Sequence, residues 1–194
     1  VMGDPTAIGD YPDAMDNYDL VPSGLIRLIK QGFNVGVDHA GVNIGQPTSF
    51  FVGCALNLKP VDEEQEINNL RRKLRAGADF ILTQPIYDTA AARNFLERIR
   101  DELAEYSLHV LVGILPLASG RHASFLRHEV PGIHIPEGIY QRMVSAGDRA
   151  AQVGVQVGME LVDEIRLFAE GIYLMPAFSR YDYAAKIIEH ARSL

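Results

Sequence analysis

Residues 62–85, DEEQEINNLRRKLRAGADFILTQP, decide the fold. Asp62, Glu63 and Glu64 crowd a first helical turn, where the helix dipole favours anions. Ile67, Leu70 and Leu74 then recur at helical spacing on one face. Arg71, Arg72, Lys73 and Arg75 gather at the far end, where cations are favoured, and Gly77 follows as a stop. The pattern predicts a helix over 62–76. The period then changes, because 79–84, DFILTQ, is an apolar run of strand length closed by Pro85. A helix delivered so directly into a buried strand is half of a β–α–β crossover.

The same unit recurs on both sides. Upstream, 50–56 (FFVGCAL) reads as a strand, and 22–32 (PSGLIRLIKQG) as a helix with Leu25, Ile26, Leu28 and Ile29 apolar and Gly32 at its end. Downstream, Asp88 or Thr89 caps a predicted helix over 90–104 whose inner face is Phe95, Leu96, Ile99 and Leu103. A strand over 109–115 ends at Pro116. Short helices are predicted from Ser119 to about His128 and from Pro136, where proline suits the first helical position. Asp148 caps a long helix to Glu170, and a strand at 172–175 and a helix over 180–192 complete the chain. No hairpin signal links the strands, so the alternation predicts parallel strands with crossover helices. Neither GxGxxG nor GxxxxGK[ST] occurs, which disfavours dinucleotide-binding and P-loop folds. The α/β class that remains is a (β/α)8 TIM barrel or part of one. The 33–49 loop, with Gly36, Gly41, Gly45 and Pro47, is long, and long ordered loops are more often functional than idle.

Composition narrows the function classes. The 194 residues carry 18 Lys+Arg against 25 Asp+Glu, a formal net charge of -7. That balance argues against a nucleic-acid or anionic-membrane partner, both of which need a cationic footprint. No apolar run approaches the ~20 residues that span a bilayer. The one cysteine, Cys54, excludes a disulfide framework and fits a reducing, cytoplasmic compartment. It lies in an apolar strand, as a small buried core residue would. His122, His128 and His134 are spaced so that successive members face different ways, about 600° apart on a helix, and no metal site is expected. Gly154 and Gly158 form a GxxxG pair best explained by close helix packing.

In parallel α/β folds chemistry sits at the carboxyl ends of strands. Asp4, in Met-Gly-Asp-Pro, is at such an end. It is either a turn starter before proline or a fixed carboxylate suited to a developing cation. Gln84 ends an apolar strand, and its amide offers a donor and an acceptor together. It is either a satisfied core amide or a reader of a heterocycle with an amide edge, such as a pterin or nicotinamide. Lys73 reads first as part of a solvated basic helix end, and Glu66 as one acid among several.

The segments Gly3-Asp4, Gly9-Asp10-Tyr11-Pro12-Asp13, Gly45-Gln46-Pro47-Thr48-Ser49-Phe50-Phe51, 73–85, Gly113-Ile114-Leu115-Pro116-Leu117, 129–133, Ile135-Pro136 and Gly171-Ile172-Tyr173-Leu174-Met175-Pro176 resemble, in this order, the methylenetetrahydrofolate reductases. The likeness is greatest to the bacterial form that also occurs fused to a homocysteine methyltransferase domain. The resemblance implies a (β/α)8 barrel that binds FAD, accepts a hydride from NAD(P)H and reduces methylenetetrahydrofolate to methyltetrahydrofolate. Through it, Asp4 is the aspartate after the fourth strand, near flavin and folate, where it favours a cationic folate intermediate. Gln84 is the glutamine that bonds the pterin, and Lys73 a lysine on the FAD phosphates. Glu66 falls where the family often has Asp on FAD hydroxyls. Arg180 lies near the substrate side, and Leu126 at an apolar position touching nicotinamide or folate. Many members have Tyr-Pro and His-Pro after the fifth strand. Here the stretch is Cys54-Ala55-Leu56-Asn57-Leu58-Lys59-Pro60, so only backbone contacts near Ala55 carry over, with Tyr18 as a candidate aromatic wall.

Against a barrel of ~250 residues, the chain is expected to run from the end of strand four through helix eight. The family's proton-donating glutamate, on the first strand, would then precede Val1, and the chain alone would bind FAD weakly and lack activity. The resemblance leaves room for a homo-oligomer and for an upstream methyltransferase domain. Two rivals stand beside it: a pterin-binding methyltransferase barrel without flavin, and a non-catalytic interaction module.

Overall fold

A computed structural model describes residues 19–194, so Asp4 and Tyr18 lie outside the described residues. The described chain is α/β. Its four strands are β1 (Gly53–Leu56), β2 (Phe80–Pro85), β3 (His109–Ile114) and β4 (Gly171–Leu174). They form one parallel sheet in the order β1-β2-β3-β4. Between β3 and β4 the register pairs Leu111 with Gly171 and Gly113 with Tyr173. Strands adjacent in space follow the chain order without reversal. That is the winding of consecutive β/α units in a barrel, whereas a doubly wound sheet reverses direction at a switch point.

Two compact units divide the chain, one through Ala55 with Glu64–Ile81, the other Leu56–Glu63 with Leu82–Leu194. In the first, α1 (Pro22–Arg27) runs on through a π-helical turn (Leu28–Gly32) and a 3-10 turn (Phe33–Val35). Gly36, at φ 95°, ends the path. The expected stop at Gly32 is therefore displaced by one turn, to the glycine that adopts left-handed geometry. A local ribbon follows, with an antiparallel bridge between Val37 and Asn43. Asn34 closes the 33–49 loop: its Oδ1 accepts from Thr48 Oγ1 at 2.7 Å and from Phe50 N at 2.9 Å, and its Nδ2 donates to Phe50 O at 2.9 Å.

The helix α2 (Glu63–Arg75) buries Ile67, Leu70 and Leu74, as its periodicity predicts. Each such side chain contributes roughly 2 kcal/mol of transfer free energy. Asp79, expected to open the next strand, instead anchors it. Its carboxylate takes the Lys30 ammonium at 2.8 Å and the Val52 N–H at 2.7 Å. Gly53 lies flat against the Phe80 ring, where a Cβ would fall 2.4 Å from Cζ.

In the second unit Asp88 is the cap, its side chain accepting from Ala91 N. The expected helix over 90–104 is two helices, α3 (Thr89–Arg98) and α4 (Arg100–Tyr106), because fully buried Ile99 leaves helical geometry at φ -101°, ψ 13°. Ser119 caps α5 (Gly120–Glu129) through His122 N. Pro136 is the cap of α6 (Glu137–Ser145) rather than its first residue. The long helix α7 spans Ala150–Ile165. It starts after a 3-10 turn that contains Asp148, which makes no side-chain cap, and it ends well short of Glu170. The last helix, α8, spans Tyr181–Arg192. Gly154 and Gly158 are close-packing glycines as expected: a Cβ at Gly154 would lie 1.8 Å from the Leu117 carbonyl oxygen, and one at Gly158 2.5 Å from Ile187 Cδ1. Among the described residues no helix is long and apolar enough to cross a membrane.

Candidate functional site

In the first unit, Glu66 and Lys73 stand seven residues apart on α2. Seven residues turn about 700°, so the two share a face, separated by about 10 Å along the axis. Both are half-buried at the flank of the Ile67–Leu70–Leu74 stripe. The Lys73 ammonium is not a solvated helix end. Its Nζ donates to the Ala55 carbonyl at 2.7 Å. Lys73 and Ala55, both expected from the resemblance to make cofactor contacts, are thus joined at the C-terminal half of β1. An ammonium has three donors, and the carbonyl uses one of them. A cation held on a strand-end carbonyl, with a carboxylate two turns away on the same helix face, fits a group carrying phosphate and hydroxyls. Cys54 is buried in the adjacent strand position. Burial pushes its thiol pKa up, the Lys73 charge pulls it down, and the Glu66 charge pushes it up again.

In the second unit, Gln84 stands at the end of β2. Burial alternates along the strand, with Ile81, Thr83 and Pro85 buried and Leu82 and Gln84 half-exposed. Among the described residues no side-chain partner holds the Gln84 amide. The sequence left open a satisfied core amide or a ligand-reading one, and this geometry favours the second. The peptide groups around Gln84 are held firmly. Thr83 Oγ1 donates to the Gln84 carbonyl at 2.8 Å and accepts from Gly113 N at 3.0 Å. Tyr173 Oη donates to the Thr83 carbonyl. Further on, the buried Tyr87 hydroxyl donates to Leu115 O at 2.7 Å, tying the loop after β2 to the end of β3. Near the same strand ends, Lys59 and Asp88 form an ion pair at 2.6 Å.

Arg180 is exposed at the start of α8. Its guanidinium forks onto Asp182 at 3.0 and 2.8 Å and lies 3.8 Å over the Tyr183 ring. Leu126 is on the inner face of α5 and only 5% exposed, while its neighbour Phe125 is 54% exposed. Just before Arg180, Phe178 and Ser179 take positive φ (55° and 57°), a conformation non-glycine residues adopt at a cost of roughly 1–3 kcal/mol each. The Phe178 ring is 72% exposed and sits edge-on to His122, centroids 5.0 Å apart.

The His122 Nδ1 accepts from Ala118 N at 3.2 Å, and burial lowers its pKa. Among the described residues no group of three or more His, Cys, Asp or Glu could hold a metal ion. A cavity of about 610 Å³ opens elsewhere in this unit, lined by His109, Val110 and Glu170 among others. It lies at the amino ends of β3 and β4, the end that parallel α/β folds devote to stability rather than chemistry.

Sequence reasoning did not single out Thr83, Tyr173 or Phe178. One signal was present. A glycine inside an apolar strand, Gly113 in HVLVGIL, marks close approach by another group. The positive-φ pair carries no glycine and left no such mark.

Sequentially wound parallel strands, a half-exposed amide at the end of β2 and a helix lysine on the Ala55 carbonyl describe a β/α protein. The model of the family described as "Methylenetetrahydrofolate reductase" matches residues 1–190, and the chain belongs to that family. It is 30% identical over 143 residues to methylenetetrahydrofolate reductase 2 of Saccharomyces cerevisiae, covering 70% of this chain and 22% of that protein. To methylenetetrahydrofolate reductase 1 of Schizosaccharomyces pombe it is 27% identical over 177 residues, covering 89% of this chain and 26% of that protein. The chain thus spans about a quarter of the length of these relatives. Among solved structures, one described as an uncharacterized protein from Clostridium thermocellum that binds two copies of 5-methyl-5,6,7,8-tetrahydrofolic acid aligns with a TM-score of 0.47 and 16% identity, over 74% of this chain and 53% of that one.

Proposed function

We propose that the protein carrying this chain reduces 5,10-methylenetetrahydrofolate to 5-methyltetrahydrofolate with NAD(P)H and FAD. The observation that carries the reading is the Gln84 amide, held out at a strand end without a side-chain partner among the described residues, in a chain of this family. FAD, when bound, supplies the hydride-carrying chemistry. Lys73 holds its phosphates, Glu66 accepts from its hydroxyls, the backbone near Ala55 contributes polar contacts, and Tyr18 supplies an aromatic wall. Gln84 orients the pterin with a paired donor and acceptor. The Asp4 carboxylate stabilises the cationic, ring-opened form of the folate. Arg180 attracts the folate's anionic end, and Leu126 gives an apolar contact on the same substrate side. On this reading β1 to β4 are the last four strands of a (β/α)8 barrel, and the protein is a cytoplasmic enzyme of one-carbon metabolism serving methionine biosynthesis.

The test uses the full-length protein. It should show a flavin absorption band and oxidise NAD(P)H when methylenetetrahydrofolate is added. Lys73→Ala should weaken FAD retention, and Gln84→Ala should raise the KM for the folate with FAD still bound. A protein that binds folate with no flavin band would be a pterin-binding methyltransferase barrel instead. One that binds neither would be an interaction module.

A further inference from the structure

We infer that Tyr173 and Thr83 are positioning residues for Gln84, fixing the direction in which its amide meets a ligand. The inference rests on the reading of Gln84 as a pterin contact. The two peptide groups that flank the Gln84 Cα set the direction in which its Cα–Cβ bond leaves the strand, and each has its carbonyl held by a side-chain hydroxyl. The preceding carbonyl, of Thr83, accepts from Tyr173 Oη, ninety residues away in sequence. The following carbonyl, of Gln84 itself, accepts from Thr83 Oγ1 at 2.8 Å. That same oxygen accepts from Gly113 N at 3.0 Å, so the hydroxyl cannot rotate away without leaving a strand N–H unpaired.

The reach of Tyr173 across the sheet depends on Gly113, its register partner on β3. A Cβ at Gly113 would lie 2.9 Å from Tyr173 Oη and 3.0 Å from both Met175 Cε and the Thr83 carbonyl oxygen. Without that Cβ, the Tyr173 side chain crosses β3 to reach β2. The ladder between the two strands is therefore spliced through side chains at the one position where the ligand-reading residue follows. An ordinary ladder would secure the strands equally well, so the hydroxyls add control over Gln84 beyond strand pairing.

The test is a double-mutant cycle in the full-length protein, read as the Kd for 5-methyltetrahydrofolate by titration calorimetry and as the KM for methylenetetrahydrofolate. Tyr173→Phe removes one hydroxyl from a half-buried site, and should raise both constants about five- to tenfold, the size of one lost hydrogen bond. FAD retention should change less than twofold. Thr83→Val should act in the same direction, and Thr83→Ser, which keeps the hydroxyl, should restore wild-type affinity. In a Gln84→Ala background Tyr173→Phe should cost nothing further. If Gln84→Ala alone leaves folate affinity unchanged, the pterin reading fails and the inference with it. If Gln84→Ala weakens binding but Tyr173→Phe does not, or if Tyr173→Phe costs as much without Gln84, only the positioning role is overturned. Should Tyr173→Phe fold poorly, the contrast between Thr83→Val and Thr83→Ser decides the matter alone.

Discussion

Replacing Gly154 by alanine should destabilise the protein, although alanine is the better helix former. In an unhindered helix the exchange gains about 1 kcal/mol. At Gly154, inside α7, the added Cβ would stand 1.8 Å from the Leu117 carbonyl oxygen and 2.8 Å from its carbon. A relaxed C···O contact is about 3.3 Å, so the helix and the segment after β3 must separate by about 1.5 Å. The obstacle is backbone, and no rotamer change relieves it. Overpacking of a tight core costs about 1–3 kcal/mol, and a backbone displacement of this size belongs at the upper end. The net loss is about 2 kcal/mol, a fall in Tm of roughly 4–8 °C for a chain of this size. Two neighbours calibrate the expectation. At Gly158 the clash is with Ile187 Cδ1 at 2.5 Å, the end of a flexible side chain. A rotamer adjustment costing about 0.5–1.5 kcal/mol nearly cancels the helical gain there. Gly138, in α6, has nothing within 4 Å of its Cβ position, and its alanine variant should gain a few tenths to about 1 kcal/mol. Thermal and urea unfolding of the three variants should rank them Gly138→Ala above Gly158→Ala above Gly154→Ala. A Gly154→Ala protein as stable as Gly158→Ala would refute the reasoning.

Gly113→Ala should weaken 5-methyltetrahydrofolate binding in calorimetry by at least as much as Tyr173→Phe, because its Cβ displaces the Tyr173 hydroxyl; unchanged affinity would contradict this. Burial holds the His122 imidazole below its usual 6.5, so the unfolded chain takes up more protons on acidification. The stabilisation is complete above about pH 6.5 and is lost as pH falls through the lower folded value. Urea titrations from pH 7 to pH 5 should show that slope, and His122→Leu should flatten it. The Arg142 hydrogen bond holds the Glu160 carboxyl below its usual 4.5, so that contribution is present above pH 4.5 and fades as pH falls through the lower folded value. Arg142→Gln should therefore lower stability near pH 7 and flatten this acidic limb, while stability on the acid side of the limb stays nearly unchanged in urea titrations. Burial pushes the Cys54 thiol up, so the native protein should react with thiol reagents at neutral pH far more slowly than the urea-unfolded chain. Comparable labelling rates in the two states would exclude the buried position.

What could be read in the sequence divides along physical lines. The α2–β2 unit was legible because its signals agree: acidic first turn, apolar stripe, basic last turn, then an apolar run closed by proline. The break at Ile99 was not, because an apolar residue at helical spacing has the same pattern whether the helix continues or bends around it. Gly154 and Gly158 announced close packing, but only coordinates distinguish a carbonyl neighbour from a mobile methyl. Lys73 shows the opposite failure. Four basic residues at a helix end satisfy the dipole argument completely, and nothing in that argument separates the one that turns inward to the Ala55 carbonyl. Family resemblance selected it, and the hydrogen bond distinguishes it physically from its basic neighbours. For Gln84 the residue type pointed to the chemistry, while the hydroxyls that hold it come from residues 83 and 173, a pairing that no local pattern encodes.

That pairing separates Gln84 from Arg180, the two residues proposed for the substrate side, by how each is prepared for a ligand. Around Gln84 the backbone is fixed on both sides by hydroxyls that are themselves engaged, so little conformational freedom remains to be lost on binding. Arg180 is prepared differently. Its fork on Asp182 is exposed and screened by solvent, and its guanidinium lies over the buried Tyr183 ring. An incoming carboxylate can take the guanidinium from Asp182 at little cost, because it offers the same bidentate geometry. An amide carried on a fixed strand end suits the recognition of a planar ring whose donor and acceptor edge must be matched in register. A readily exchanged arginine suits the flexible, anionic end of the same molecule. On the proposed reading, the fixed strand end at Gln84 would face the planar ring of a folate and the exchangeable Arg180 its flexible end.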